Sequence, residues 1–157
     1  MTTTIDRVVP PQRLITAVNP LVRWALRSPL HRWLDGSVLI LHVLGRRTGR
    51  RYDIPVGLTD LGDRLVVITQ HRWRRNLRGG RDVQVTRFGH RRWMRATLDD
   101  DPATVADTIA EFLGRFGAAG TKRRLGMVIA GDTAPTHDEL SAAAGSFDLG
   151  IITLTAR

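Results

Sequence analysis

The stretch that most constrains the fold runs from Leu39 to Leu58. It reads Leu39-Ile40-Leu41-His42-Val43-Leu44, then Gly45-Arg46-Arg47-Thr48-Gly49-Arg50, then Arg51-Tyr52-Asp53-Ile54-Pro55-Val56-Gly57-Leu58. Aliphatic and β-branched residues on both sides of a short glycine-bounded segment predict two strands joined by a tight turn, since glycine takes positive φ without steric cost. Arg46, Arg47, Arg50 and Arg51 crowd that turn. Guanidinium groups together with free backbone N–H donors make a nest for phosphate or carboxylate. A solvated hairpin tip in an arginine-rich protein is the alternative reading.

With 157 residues, the chain has the length of one domain able to bury roughly 68–70% of its unfolded surface. We expect residues 1–12 to form a flexible N-terminal arm, because they are polar and close on Pro10-Pro11, which opposes regular structure. Residues 13–157 are then a single domain with an N-terminal helical segment. Cysteine is absent, which removes disulfides, thiolate nucleophiles and cysteine-ligated zinc. The histidines lack metal-ligand spacing, so no metal site is expected. The net charge of +9 and pI near 11.6 favour anionic partners, although the scarcity of lysine beside arginine also suits a GC-rich genome. Neither a long apolar run nor a signal-like start is present, so the expected location is cytoplasmic.

Between Gln12 and Leu34, Leu14, Ile15, Val18, Leu21, Val22, Leu26, Leu30, Trp33 and Leu34 recur at helical spacing, interrupted by Pro20 and Pro29, which predicts one or two short amphipathic helices. Their interleaved arginines allow peripheral contact with an anionic membrane; covering one end of a barrel is the competing role. Val38–Leu44, Tyr52–Thr59 and Arg64–Gln70 read as an antiparallel meander, and His71–Gly80 as a short helical turn stopped by glycines. Asp82–Phe88 and Arg91–Leu98 form a second hairpin. Asp99-Asp100-Asp101-Pro102 starts a helix reaching about Arg115, its aspartates placed for capping rather than for a metal. Gly117–Gly120 ends that helix and Thr121–Gly126 is a second basic turn. Met127–Ala130 is a short strand or helix end, Pro135–Ala144 a helix, and Phe147–Thr155 a closing strand.

Hydrolytic and nucleotide signatures such as Gly-x-Ser-x-Gly, the P-loop and the Rossmann glycines are missing. His42, His71, His90 and His137 have no evident partner set and read as structural or exposed. Trp73, Phe88 and Trp93 could stack on bases, but such aromatics usually build cores, so nucleic acid is disfavoured as a partner.

Gly45-Arg46-Arg47-Thr48-Gly49-Arg50, the strand with Ile54-Pro55-Val56, Val66-Val67-Ile68-Thr69 and Trp73-Arg74-Arg75-Asn76-Leu77 together resemble the deazaflavin-dependent nitroreductase family, over roughly Leu30 to Phe116. That resemblance implies a mainly β fold with flanking helices (α+β), a six-stranded antiparallel split β-barrel like those of FMN-binding flavin reductases. It implies a cofactor, the 8-hydroxy-5-deazaflavin coenzyme F-420, with hydride passing to a small-molecule electron acceptor such as a quinone, nitro compound or enone. Arg46, Arg47, Thr48, Gly49 and Arg50 would cradle its phosphate and anionic tail, and Pro55, Val56, Thr69 and Gln70 would line its ring. Trp73 and Asn76 would anchor the short helix at the pocket wall. Gln70 leads directly into His71-Arg72-Trp73 where the family has a glycine-containing loop, so His71, Arg72, Arg74 and Arg75 would supply charge from side chains. No catalytic side chain is assigned, because the cofactor carries the chemistry. FMN is the alternative cofactor, and a non-catalytic protein binding a cofactor, a heme-like ligand, lipid or nucleic acid is the alternative class. A homodimer is expected by analogy with related barrels.

Overall fold

The computed structural model describes residues 4–7, 37–131 and 133–157. In chain order these form β1 (Thr4–Arg7), β2 (Val38–Leu44), β3 (Arg51–Gly57), β4 (Thr59–Asp60), β5 (Leu65–Thr69) and a 3₁₀ segment (Arg72–Leu77). Then follow β6 (Arg81–Arg87), β7 (His90–Asp99), α1 (Pro102–Leu125), β8 (Met127–Ala130), α2 (His137–Ser146) and β9 (Gly150–Ala156). The predicted N-terminal helices lie outside the described residues. Among those residues no helix is long and apolar enough to cross a membrane. The class is the expected one, mainly β with helices on an antiparallel framework.

Contacts divide the chain into two compact units, one of residues 1–9, 68–70 and 99–151, the other of residues 10–67, 71–98 and 152–157. The first contains a two-stranded antiparallel sheet in which β1 pairs with β8, Ile5 facing Ile129. Part of the stretch expected to be a flexible arm is therefore a strand, because Thr4–Arg7 finds backbone partners far along the chain that no local signal announces. In α1, Val105, Ile109 and Phe112 are fully buried at the 3.6-residue spacing of one face. Asp101 caps it, its carboxylate accepting from Thr104 N at 3.1 Å, as the aspartate cluster predicts. Gly117 leaves helical geometry at φ 66 and ψ −179, but helix resumes beyond it, so Thr121–Leu125 is helical and not a basic turn. Thr121 supports the resumption by donating to Gly117 O at 2.8 Å. A capping box between Thr136 and Glu139 starts α2.

The seven-stranded sheet runs in the order β3-β2-β6-β7-β9-β5-β4. The expected β2-β3 hairpin forms, Leu44 facing Arg51 and Val38 facing Gly57. The predicted meander does not. Instead β5 lies between β9 and β4, and its consecutive Leu65, Val66 and Val67, which point alternately to the two faces of the sheet, are all buried, as expected of a strand covered on both faces. A seventh strand appears because the segment expected as Tyr52–Thr59 breaks at Leu58, whose N–H donates to Ser37 O at 2.8 Å, leaving β4 to pair with β5. On one face of this sheet Leu39, Leu41, Val43, Val83, Val85, Met94 and Ala96 form a single core with Leu77, against which Trp73 packs. Fully burying one such aliphatic side chain stabilises the fold by about 1.5–3 kcal/mol.

Candidate functional site

Two glycines shape the loop between β2 and β3 for different reasons. Gly49 sits at φ 66, the left-handed region that side-chain-bearing residues avoid. At Gly45 a Cβ would come within 3.1 Å of the Tyr52 ring and 3.3 Å of Thr48 Oγ1. The loop then satisfies most of its own donors. Gly45 N donates to Arg50 O at 2.8 Å and Gly49 N to Gly45 O at 2.9 Å. Arg50 N donates to Thr48 Oγ1 at 3.3 Å and Arg46 N to Asn76 Oδ1 at 3.2 Å. The anticipated nest of free amides is thus largely spent on holding the turn. What the loop offers outward is side-chain charge: Arg46, Arg47 and Arg50 are exposed, and among the described residues none of the three has a carboxylate partner. Arg50 lies 5.7 Å from the centre of the Tyr52 ring, within reach of a cation–π attraction.

The Arg46–Asn76 bond joins two motifs that are 30 residues apart in sequence. Asn76 is held in place by the 3₁₀ segment around it, whose Leu77 is fully buried and whose Trp73 packs on the same core. Arg74 is only 2% exposed and donates to His71 O at 3.4 Å. It belongs to the interior and does not present charge to a ligand as the sequence suggests. Arg72 and Arg75 are exposed. Pro55 is half-buried on β3 opposite Ile40, and Val56 faces the sheet core. Thr69, buried, and Gln70, half-buried, fall within the other compact unit.

On the same hairpin the structure assembles a cluster that residue-by-residue reading missed. His42 on β2 is 6% exposed and lies directly across from Asp53 on β3. Its Nδ1 is 2.6 Å from Asp53 Oδ1, and its Nε2 is 2.8 Å from Thr86 Oγ1 on β6. Arg51 donates from Nε to Asp53 Oδ1 at 3.0 Å, and its Nη2 is also 3.0 Å from His42 Nδ1. Arg51 is a donor only and Asp53 an acceptor, so Nδ1 cannot bond productively to both. A proton on Nδ1 donated to Asp53, with the Thr86 hydroxyl donating to Nε2, satisfies each group. Burial pushes the imidazole below its ordinary pKa, nearby Arg51 and Arg91 push the same way, and Asp53 opposes them only in part. For Asp53 burial acts to raise the pKa, but hydrogen bonds from His42 and Arg51 outweigh it and hold the carboxyl below the usual range. The resting pair is therefore neutral His42 beside ionised Asp53. One signal could have revealed it: once Leu44 is set opposite Arg51, strand alternation places His42 opposite Asp53. Thr86 comes from a distant strand and had no such signal.

A cavity of about 210 Å³ opens beside this cluster, within the same unit, between Leu44 and Arg51 at the root of the basic loop and Arg81, Gln84 and Trp93 on β6 and β7. His42 forms part of its wall.

No protein-family model matches the chain, and no curated protein matches it. Among solved structures it is similar to the FAD- and heme-binding protein from Mycobacterium smegmatis, at 20% identity over 82% of this chain and 65% of that one, with a TM-score of 0.44. It is also similar to a candidate 5-nitroimidazole antibiotic resistance protein from Bacteroides thetaiotaomicron VPI-5482, at 7% identity over 99% of this chain and 84% of that one, with a TM-score of 0.39. The chain thus spans slightly less than two thirds of the length of the Mycobacterium protein.

Proposed function

We propose that this protein is an oxidoreductase that binds coenzyme F-420 through the loop between β2 and β3. The observation that carries this reading is the hydrogen bond from Arg46 N to Asn76 Oδ1. It brings together, in one unit, the two motifs on which the family resemblance rests. The residues fit an anionic tail: Arg46, Arg47 and Arg50 project into solvent, and the space beside Gly49 is open, with no atom within 4 Å of where a Cβ would stand. Three guanidiniums in one loop suit several anionic groups in a row. Since most of the loop's amides are occupied, recognition rests on side-chain charge, and it weakens as salt screens exposed charges.

Bound reduced coenzyme F-420 supplies hydride to an activated acceptor such as a quinone, nitro compound or enone. The protein's part is to hold the tail with Arg46, Arg47 and Arg50 and to keep the loop in register through Thr48, Gly49 and Asn76. A single-phosphate cofactor, FMN, is the competing ligand for the same loop.

Titration of the purified protein with coenzyme F-420 and, separately, with FMN, followed by cofactor fluorescence, tests the reading. Micromolar binding of coenzyme F-420, tighter than FMN and weakened as salt rises, is the expected result. Tighter binding of FMN would reassign the cofactor, and binding of neither would overturn the reading.

A further inference from the structure

Strand β7 alternates over part of its length: Met94 is buried, Arg95 exposed, Ala96 buried and Thr97 exposed, as a strand packed on one face requires. Its beginning does not. Phe88, Gly89, His90, Arg91, Arg92 and Trp93 are exposed in succession, so the tip of the β6–β7 hairpin is wet on both faces. The run holds two aromatic rings, two arginines and a histidine, and no carboxylate. Register places it away from the basic loop: Ile40 lies opposite Thr86 and His42 opposite Gln84, so β6 runs away from that loop toward the tip.

The last ladder pair is Arg87 with His90, which leaves Phe88 and Gly89 as a two-residue turn at φ 52 and φ 76. Hairpins meet positive φ at both central positions with asparagine, aspartate or glycine. A bulky ring there is an outlier, and outliers of this kind cluster at functional sites. Packing does not compensate the strain, because Phe88 is 45% exposed, and Trp93 is 50% exposed beside it. The ring is still held in place. Arg87 is 9% exposed, bonds Asp60 at 3.0 Å and sets its guanidinium 4.8 Å from the centre of the Phe88 ring. Asp60 accepts from Gly62 N and Arg87, and Arg92 acts on it only through space. Among the described residues His90, Arg91 and Arg92 form no ion pair. Strand alternation sends Arg91 and Trp93 to one face, His90 and Arg92 to the other. The tip is thus an exposed ring flanked by cations on both sides, all within one compact unit.

We propose that the β6–β7 hairpin tip docks on the surface of an anionic lipid bilayer, with Phe88 entering the boundary between headgroups and acyl chains, Arg91 and Arg92 pairing with lipid phosphates, and Trp93 lying at headgroup level. A projecting apolar ring ringed by cations matches an interface that is anionic outside and apolar beneath. Indole is a side chain that settles at that level, one end apolar and the other wet. Single-stranded nucleic acid also attracts arginine and aromatic side chains, but it is taken up along a groove, and a protruding two-residue turn offers none. The proposal holds whether or not the basic loop binds a deazaflavin.

The test is co-sedimentation of the full chain with vesicles of phosphatidylcholine alone and of phosphatidylcholine mixed with phosphatidylglycerol. Binding to the mixed vesicles should be at least tenfold tighter and should weaken as salt rises. Phe88→Gly removes the ring and supplies the residue that the backbone geometry favours, so it should stay folded by circular dichroism and bind at least fivefold more weakly. Arg91→Gln combined with Arg92→Gln should weaken binding tenfold or more. Lys122→Gln combined with Arg123→Gln, which removes equal charge from exposed positions of α1, should change it less than twofold. Binding that Phe88→Gly leaves intact, or that the two charge pairs weaken equally, would overturn the proposal, because net charge or another segment would then carry it. Absence of binding to the mixed vesicles would overturn it too, and a labelled oligonucleotide bound instead in a Phe88-dependent manner would reassign the tip to nucleic acid.

Discussion

Arg47 and Arg51 stand four residues apart on one hairpin and meet opposite surroundings. Arg51 bonds Asp53 at 3.0 Å within a cluster that includes His42 and Thr86. Arg47, with Arg46 and Arg50, projects from a loop that supplies its own hydrogen bonds and offers those cations no carboxylate. The difference separates two uses of charge. Where the chain provides the counter-charge, removing a partner strands a buried polar group and lowers stability. Where the chain provides none, the charge costs little to delete, and its effect falls on whatever ligand binds there.

The largest effect expected from this contrast is on the buried side. Asp53→Ala leaves the Nδ1 proton of His42 without an acceptor and Arg51 without its carboxylate, and should lower stability by about 2–3 kcal/mol. Asp53→Asn, whose amide oxygen can still accept from Nδ1, should lose distinctly less. Urea denaturation reads both. A loss below about 0.5 kcal/mol for Asp53→Ala would place the cluster in the same category as the exposed loop and erase the distinction.

The exposed side should behave in the converse manner. Arg47→Ala and Arg50→Ala should each weaken coenzyme F-420 binding about tenfold, equivalent to about 1.4 kcal/mol, while shifting folding stability by no more than about 0.5 kcal/mol. Fluorescence titration alongside urea denaturation separates the two quantities. Equal loss of stability and affinity would mean that these arginines are structural after all.

The contrast also marks what could be read from sequence. The hairpin, its basic loop and the capped start of α1 were legible because local rules decide them: aliphatic runs, glycines where a turn needs them, aspartates before Pro102. The position of β5 was not, since a fully apolar strand says only that it wants neighbours, and which strands supply them depends on the whole topology. Strand β1 was hidden for the same reason, its partner β8 lying far along the chain. A glycine was over-read at Gly117, where helix resumes after a single non-helical residue. Within the candidate site, the loop was visible as a charge cluster and Asn76 as part of a motif. That Arg74 is interior, that Asn76 bonds the Arg46 amide and that His42 bonds Thr86 are matters of packing that one-dimensional spacing does not encode.

A smaller effect sharpens the view of the loop as a built feature. Gly49→Ala introduces a side chain at φ 66 with no atom within 4 Å of the new Cβ. The cost is then conformational alone, roughly 1 kcal/mol. Coenzyme F-420 affinity should fall along with it if the loop's shape sets the positions of the guanidiniums. Unchanged affinity would show that their charge suffices without that shape.

The shallowest effect is on pH dependence, and its sign follows from the cluster. His42 has a folded pKa below its ordinary 6.5. As pH falls below about 6.5 the unfolded chain takes up a proton that the folded chain refuses, and stability declines. Asp53 is also held below its ordinary 3.8, so it favours the folded state above that value and begins to lose that contribution only as pH drops under it. Asp60, held low by the Gly62 N–H at 2.9 Å and by Arg87 at 3.0 Å, adds to this lower window. Both steps run in the same direction and are separated in pH. Measured from pH 8 to pH 3, stability should therefore fall first below about 6.5 and again below about 3.8. His42→Gln should abolish the upper step and preserve the lower, because Asp60 and the Arg51–Asp53 pair remain. Arg47→Ala should alter neither, since nothing ties its exposed guanidinium to a group that titrates with folding. An upper step that survives His42→Gln would assign it to a different histidine and remove the buried cluster from the account of acid sensitivity.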